Sequence, residues 1–361
     1  MNTSIIAFVA GRSGGHIIPA FTLAQECKAS NPTQILFFTT SHPLDLAIIK
    51  KQGSFIDTHI PLTLGNVPFF NIFKILVFII HFIFAFYKSW RILRVKKPES
   101  IRGMGGYISI PVCLAARTLG IPIHLYDFDA KPGKATRFLS RYASKIFLCF
   151  EQAKSYLPAQ KCELIEYPIR FNHALQTTST TQALSHLPLL PNKKTIFING
   201  GSQGSVFINN CIKEWLNFNT HLFSLIQIIH QTGTADKTNW HEYYKDLEIP
   251  ALVFSYKEDL AWCYLAADII ICRAGAGSLF EALFFNKPCL TIPLETAATS
   301  HQKDNARALS AQYPALITML TQQEIKNDNM SLFRVLNKYI YPQSTQTQYK
   351  PGMPAHNHPN S

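Results

Sequence analysis

Short apolar runs alternate with longer stretches of helical periodicity along the whole chain. Runs at 5–10, 35–40, 55–60, 123–126 and 145–149 predict strands that are apolar on both faces. That is the pattern of parallel strands covered by helices on each side. A polar break rich in Thr, Gln and Pro follows at 176–191, and the pattern restarts with runs at 195–199, 225–230, 252–254, 268–272 and 289–292. The chain therefore reads as α/β, with two Rossmann-like, doubly wound parallel-sheet domains at 1–165 and 166–340 facing a ligand cleft. Residues 341–361 are rich in Pro and polar residues and nearly devoid of aliphatic ones, which predicts a disordered polar tail.

One segment breaks this alternation. Phe69 to Tyr87 is apolar apart from Asn71, Lys74 and His81. As a helix it would be ~28 Å long, enough to cross a bilayer's hydrocarbon core. Lys74 and His81 near its centre would be costly there. The favoured reading is an in-plane, peripheral membrane contact, with Phe69, Phe70 and Phe73 on the apolar side and a basic collar at Lys88, Arg91, Arg94, Lys96 and Lys97. A fully buried helix with a solvated basic tail is the alternative.

Charge sharpens that reading. Of 361 residues, 34 are Lys or Arg and 22 Asp or Glu, a formal net charge of +12. Residues 1–165 carry 19 of the basic and only 8 of the acidic side chains, so an anionic partner belongs to the first half. Lys134, Arg137, Arg141 and Lys145 are spaced to line one face of a helix expected after Pro132-Gly133. No recognised nucleic-acid motif accompanies these stripes, so nucleic acid is not the expected partner. A hydrophobic content of 47% excludes an intrinsically disordered chain. Eight cysteines without a C-x-x-C pair predict buried free thiols in a reducing cytosol rather than disulfides or a zinc site. The N-terminal run has no charged leader and reads as a first strand, not a signal peptide.

Three glycine-rich turns carry the chemistry. They are Gly11-Arg12-Ser13-Gly14-Gly15-His16 after the first strand, Gly103-Met104-Gly105-Gly106-Tyr107, and Gly200-Gly201-Ser202-Gln203-Gly204-Ser205. Glycine lets backbone N–H groups approach an anion, and a following helix N-terminus adds a favourable dipole. Three such turns point to phosphates. None matches G-x-x-x-x-G-K-[ST], which excludes a Walker-type nucleotidase, and the first is not G-x-G-x-x-G, which counts against a dinucleotide oxidoreductase. A fourth turn, Arg273-Ala-Gly275-Ala276-Gly277-Ser278, leads into a helix bearing Glu281. That carboxylate can cap the helix or accept hydrogen bonds from a ribose diol.

These blocks, together with HQTG at 230–233, the stretch 267–294 and HQKDNARAL at 301–309, resemble the MurG family of bacterial glycosyltransferases, glycosyltransferase family 28, over residues 3–335. The resemblance implies a GT-B architecture, and an inverting transfer of N-acetylglucosamine (GlcNAc) from UDP-GlcNAc to the C4 hydroxyl of an undecaprenyl-pyrophosphoryl-N-acetylmuramoyl-pentapeptide, lipid I to lipid II of peptidoglycan synthesis. It implies His16 as general base, with Asp127 as a second catalytic candidate. Donor contacts follow at Ser13, Gly14, Gly15, Asp129, Arg170, Ser202, Lys257, Ala276, Gly277, Ser278, Leu279, Phe280, Glu281, Gln302 and Asn305. Among these, Arg170 and Ser202 fall at the diphosphate, Lys257 at the uracil, Glu281 at the ribose, and Gln302 and Asn305 at the sugar hydroxyls. Gly14, Gly15, Gly105, Gly106 and Tyr107 would face the acceptor pyrophosphate. Asp129 stands where the family carries an asparagine, and Arg12 where it carries glycine.

The resemblance further implies a peripheral enzyme on the cytoplasmic face of the inner membrane, in contact with anionic lipids and with cell-division or wall-synthesis proteins. Asp127-Phe128-Asp129 is formally a D-x-D, the metal motif of another glycosyltransferase fold, but its context differs. No metal site and no required cofactor are expected. Two alternatives stay open: a GT-B transferase for another lipid acceptor, and a catalytically impaired homologue that binds membrane or division proteins.

Overall fold

A computed structural model describes residues 4–11, 14–65, 72–201, 203–296 and 300–341. Arg12, Ser13, Phe69, Phe70, Ser202 and the tail from 342 onward lie outside the described residues.

The chain divides into two compact units. The first comprises residues 1–177, 273–286 and 293–319, and the second 178–272, 287–292 and 320–361. In chain order, the first half runs β1 (Ser4–Val9), α1 (Gly14–Ser30), β2 (Thr33–Thr40), α2 (Pro43–Gln52), β3 (Thr58–Leu62), α3 (Ile72–Lys96), β4 (Ser100–Gly103), α4 (Ser109–Thr118), β5 (Ile123–Asp127), α5 (Lys134–Leu139), β6 (Lys145–Leu148) and β7 (Cys162–Leu164). Its seven strands form one sheet in the order β3-β2-β1-β4-β5-β6-β7. Every pairing is parallel. Phe8, Phe37, Phe38, Ile35 and Leu36 are wholly buried on both faces of β1 and β2, as strands covered by helices on each side require.

The second half runs α6 (Thr180–Ser185), β8 (Lys194–Asn199), α7 (Val206–Phe218), β9 (Ile226–Gln231), α8 (Trp240–Asp246), β10 (Ala251–Phe254), α9 (Ala261–Ala266), β11 (Ile269–Cys272), α10 (Ala276–Phe284), β12 (Cys289–Thr291), α11 (Ser300–Gln312), β13 (Ile317–Met319), α12 (Gln322–Asn327) and α13 (Met330–Ile340). The second sheet has the order β10-β9-β8-β11-β12-β13. Its core gathers Ile196, Ile198, Ile228 and Ile271 with Trp215 of α7 and Leu332, Leu336 and Ile340 of α13. Helix starts follow local chemistry: the Ser205 hydroxyl caps α7 by accepting from Ile208 N at 3.2 Å, and Thr321 with Glu324 forms a capping box on α12.

In each sheet the strand order reverses at one place, between β1 and β4 and between β8 and β11. The turns leaving the carboxyl ends of these strands are the places where doubly wound folds bind ligands. All four glycine turns singled out above leave these four strands.

Two expectations and one alternative need correction. Strands β4, β7 and β13 escaped the sequence pattern. The basic stripe after Gly133 is not a helix face, because α5 ends at Leu139. Arg141 lies beyond it, stacked on Phe138 with its guanidinium 5.0 Å from the ring centroid, and Lys145 opens β6, where it pairs with Glu163 at 2.8 Å. Nor is α3 a buried helix with a solvated tail. Only Ala85, Ser89 and Leu93 are buried along its 25 residues, while Phe73 is 77% and Phe84 67% exposed.

Candidate functional site

The first group of candidate residues lies within the first unit. Gly14 and Gly15 open α1, so their N–H groups belong to the unpaired first turn of a helix. His16 follows, and its ring lies against the turn after β4. A Cβ on Gly106, which sits at φ +70°, would stand 3.6 Å from His16 Nδ1. Gly105, at φ +78°, lies between two side chains: a Cβ there would meet Thr136 Oγ1 at 3.4 Å and His16 Nε2 at 4.0 Å. His16 Nδ1 and Thr136 Oγ1 are both buried without a well-formed hydrogen bond, with the Gly11 carbonyl close to His16 and the Asp127 carboxyl close to Thr136. Polar atoms of this kind are rare in folded proteins unless a ligand or ordered water satisfies them. Burial holds the His16 imidazole below the ordinary histidine range, against the opposing pull of Asp129, the Gly11 carbonyl and Asp45, while His301 adds to the depression. Tyr107, at the end of the same turn, donates its hydroxyl to the Leu64 carbonyl at 3.3 Å.

Beside this turn, β5 delivers the pair of carboxylates. Asp127 is buried and accepts from Asp129 N at 3.2 Å and Gly133 N at 3.1 Å. Burial and the neighbouring Asp129 carboxylate push it up to about 7, with Thr136 and the two N–H groups acting in the opposite direction. Asn305 of α11 donates to Asp129 Oδ1 at 2.8 Å and to the Ala274 carbonyl at 3.3 Å, and its own oxygen accepts from Ala130 N at 2.7 Å. Gln302, one turn earlier, accepts from Leu294 N at 3.0 Å. Among the described residues no group of three or more His, Cys, Asp or Glu side chains is arranged to hold a metal ion.

Glu281 lies on α10 and is 8% exposed. Arg170 grips it with Nε at 2.8 Å from one carboxylate oxygen and a second nitrogen at 3.4 Å from the other. The start of the same helix packs on aromatic rings. Phe280 stacks on Tyr167 with centroids 5.0 Å apart, and a Cβ on Gly277 would meet the Tyr167 hydroxyl at 3.1 Å. Ala276 and Leu279 are buried and Ser278 is half-buried.

The second group lies within the second unit. The turn after β8 is built so tightly that only glycine fits: a Cβ on Gly204, at φ +75°, would stand 2.2 Å from the Thr232 carbonyl, and one on Gly233 would stand 2.2 Å from the Gln203 carbonyl. Asn199 accepts from Gly201 N at 3.0 Å, and Gln231 donates to Gly201 O at 2.6 Å. Gln231 also accepts from Lys257 N at 3.4 Å, which joins the Lys257 backbone to this turn.

Comparison with known proteins fits this geometry. Residues 6–148 match the glycosyltransferase family 28 N-terminal domain and residues 195–353 the family's C-terminal domain. A protein of Trichlorobacter lovleyi named UDP-N-acetylglucosamine--N-acetylmuramyl-(pentapeptide) pyrophosphoryl-undecaprenol N-acetylglucosamine transferase is 31% identical over 333 residues, covering 89% of this chain and 86% of its own. The chain belongs to glycosyltransferase family 28. This family 28 chain is also 32% identical over 305 residues to a transferase of the same name from Protochlamydia amoebophila, with 82% and 78% of the two chains covered. In fold it is similar to Acinetobacter baumannii MurG, with a TM-score of 0.70 at 23% identity over 94% of this chain and 91% of that one. It is also similar to a UDP-GlcNAc 2-epimerase from Neisseria meningitidis bound to UDP-GlcNAc, with a TM-score of 0.56 at 16% identity over 92% and 100%. The GT-B architecture expected from the sequence is the architecture found.

Sequence reasoning missed Thr136 and Tyr167. Neither is charged or part of a glycine turn: Thr136 is hidden within the basic stripe at 134–137, and Tyr167 joins the site through packing on Phe280 and Gly277, far away in the chain.

Proposed function

We propose that this glycosyltransferase moves GlcNAc from UDP-GlcNAc to a lipid-linked pyrophosphoryl N-acetylmuramyl-pentapeptide, the reaction named for its family 28 relatives. One observation carries the reading: the buried His16 ring and Thr136 hydroxyl flank Gly105, on the turn where the first sheet's strand order reverses. His16 is neutral at cytosolic pH because burial disfavours its cation, so it can take the proton of an acceptor hydroxyl. The N–H groups opening α1 and the Arg170 guanidinium, all in the first unit, meet the negative charge that develops on the departing diphosphate. Glu281, oriented by Arg170, presents carboxylate oxygens to a ribose diol. UDP-GlcNAc is a substrate, and the scheme assigns no step to a resident cofactor. Helix α3 makes a peripheral, in-plane contact with anionic lipid on the cytoplasmic side of the inner membrane, bringing the site to its lipid-linked acceptor.

Detergent-solubilised protein, radiolabelled UDP-GlcNAc and a short-chain lipid I analogue test the reading. Transfer should occur and should fall at least ~100-fold in His16→Ala, with UDP binding retained. No transfer by folded, UDP-binding protein would overturn it, and transfer to other lipids alone would move the assignment to a different acceptor.

A further inference from the structure

Helix α10 carries Gly277, Phe280 and Glu281 on one face, because residues three and four apart on a helix stand together. Two side chains from the segment 167–170 cover that face. Arg170 grips the Glu281 carboxylate, with Nε 2.8 Å from one oxygen. Tyr167 lies along the same face, its ring stacked on Phe280 with centroids 5.0 Å apart and met edge-on by Phe128 at 5.3 Å. Pro168 confines the Tyr167 backbone to extended conformations, so the ring is fixed from the chain as well as by its neighbours. Its tip reaches the start of the helix: a Cβ on Gly277 would stand 3.1 Å from the Tyr167 hydroxyl. A helical Cβ tilts toward the N-terminus, which puts that oxygen over the opening turn of α10. Tyr167 is half-buried, and no hydrogen bond engages its hydroxyl among the described residues. Burial, with Glu281 next, holds the phenol well above the ordinary tyrosine range, so it keeps its proton and stays a donor.

We propose that Tyr167 is a specificity-determining residue of the donor site: its hydroxyl donates a hydrogen bond to a ribose hydroxyl of the bound uridine nucleotide. This inference rests on the reading that Glu281 accepts hydrogen bonds from that ribose diol. A hydroxyl that gives its hydrogen to a carboxylate keeps two lone pairs for a donor. A carboxylate can only accept, and Tyr167 supplies the donor, so the two groups against one face of α10 match both halves of the diol's chemistry. Packing accounts for the ring but not for the hydroxyl. Phenylalanine would make the same stack on Phe280, whereas the polar tip lies at the position where glycine leaves room for it.

Tyr167→Phe tests this, because it keeps the ring and removes only a hydroxyl that no described residue holds. The thermal midpoint should stay where it is. Calorimetric titration with UDP should show affinity lower by about fivefold, the worth of one neutral hydrogen bond. The same titrations with 2′-deoxy-UDP and 3′-deoxy-UDP locate the bond. Wild type should bind the analogue lacking the contacted oxygen more weakly than UDP, and Tyr167→Phe should bind that analogue as well as wild type does. Unchanged UDP affinity in Tyr167→Phe would overturn the proposal and leave the ring a packing role alone. An equal fall for UDP and both deoxy analogues would also overturn it, since the hydroxyl would then act on another part of the nucleotide. Failure of the underlying reading is distinct and shows in wild type: no binding of UDP, or no preference for UDP over either analogue, would remove the ribose from Glu281 and this inference with it.

Discussion

His230 takes up a proton only at about pH 3, because burial denies an imidazolium its water and Asp236 is a weak counterweight. The ring is held neutral, with Nε2 facing Asn209 Oδ1 at 3.0 Å and Nδ1 facing the Tyr244 hydroxyl at 2.9 Å. Asp236, which accepts from Asn209 and Trp240, is in turn lowered to about 2. In the unfolded chain His230 titrates near ~6.5. Between that value and about 3 the unfolded state binds a proton that the folded state refuses, so stability falls as pH falls through this window. The slope is about 1.4 kcal/mol per pH unit from this one group. Urea unfolding of wild type should therefore lose stability from pH 6.5 to 4.5 faster than His230→Gln, and parallel curves for the two would remove the assignment. The strand under His230 is legible in its sequence, but its partners are not. Asn209 and Tyr244 stand 21 and 14 residues away and meet it only because α7 and α8 pack on the same sheet.

Elements were easier to read than their partners, wherever one residue period dominated. The long β-branched and aromatic runs of β1, β2, β8 and β9 are visible because both faces are buried. β4 hides because it is four residues long with Arg102 in the middle, and β7 because its three residues include Glu163. Helix α3 shows the converse: its hydrophobicity was plain, but only the fold reveals that the apolar side faces outward. At about 100° per residue, buried Ala85, Ser89 and Leu93 define one face, while Phe73, Leu76, Ile80, Ile83, Phe84 and Tyr87 define the opposite one. Arg91 and Arg94 continue the outward stripe past Tyr87, and Lys88 is anchored to the Pro61 carbonyl at 2.8 Å. This outward apolar stripe is what the proposed in-plane membrane contact requires and what a core helix lacks. Phe73→Ser with Phe84→Ser should reduce co-sedimentation with lipid vesicles severalfold without lowering the thermal midpoint, since neither side chain packs inside. A lowered midpoint with unchanged sedimentation would show that these rings serve the fold.

At the scale of the molecule the net charge of +12 is the quantity to explain, and its placement explains more than its size. The first half holds 19 basic against 8 acidic side chains, and the same half carries α3 and the glycine turns that would meet a lipid-linked pyrophosphate. A solubility role would not require such asymmetry. Attraction to an anionic surface would, and it should be long-ranged and screened by salt, over ~10 Å at 0.1 M ionic strength. Each basic side chain near such a surface contributes about 1 kcal/mol. Replacing Arg91, Arg94, Lys96 and Lys97 with Gln should therefore weaken binding to anionic vesicles by up to ~1,000-fold at low salt, and by much less at 0.5 M. Binding to neutral vesicles, driven by the apolar stripe of α3, should change little. The two dependences separate the contributions, because added salt weakens the electrostatic attraction and leaves apolar burial intact or strengthened. If binding to anionic vesicles ignores both salt and the four substitutions, the surplus is ordinary solvated charge, and the apolar stripe of α3 alone drives vesicle binding.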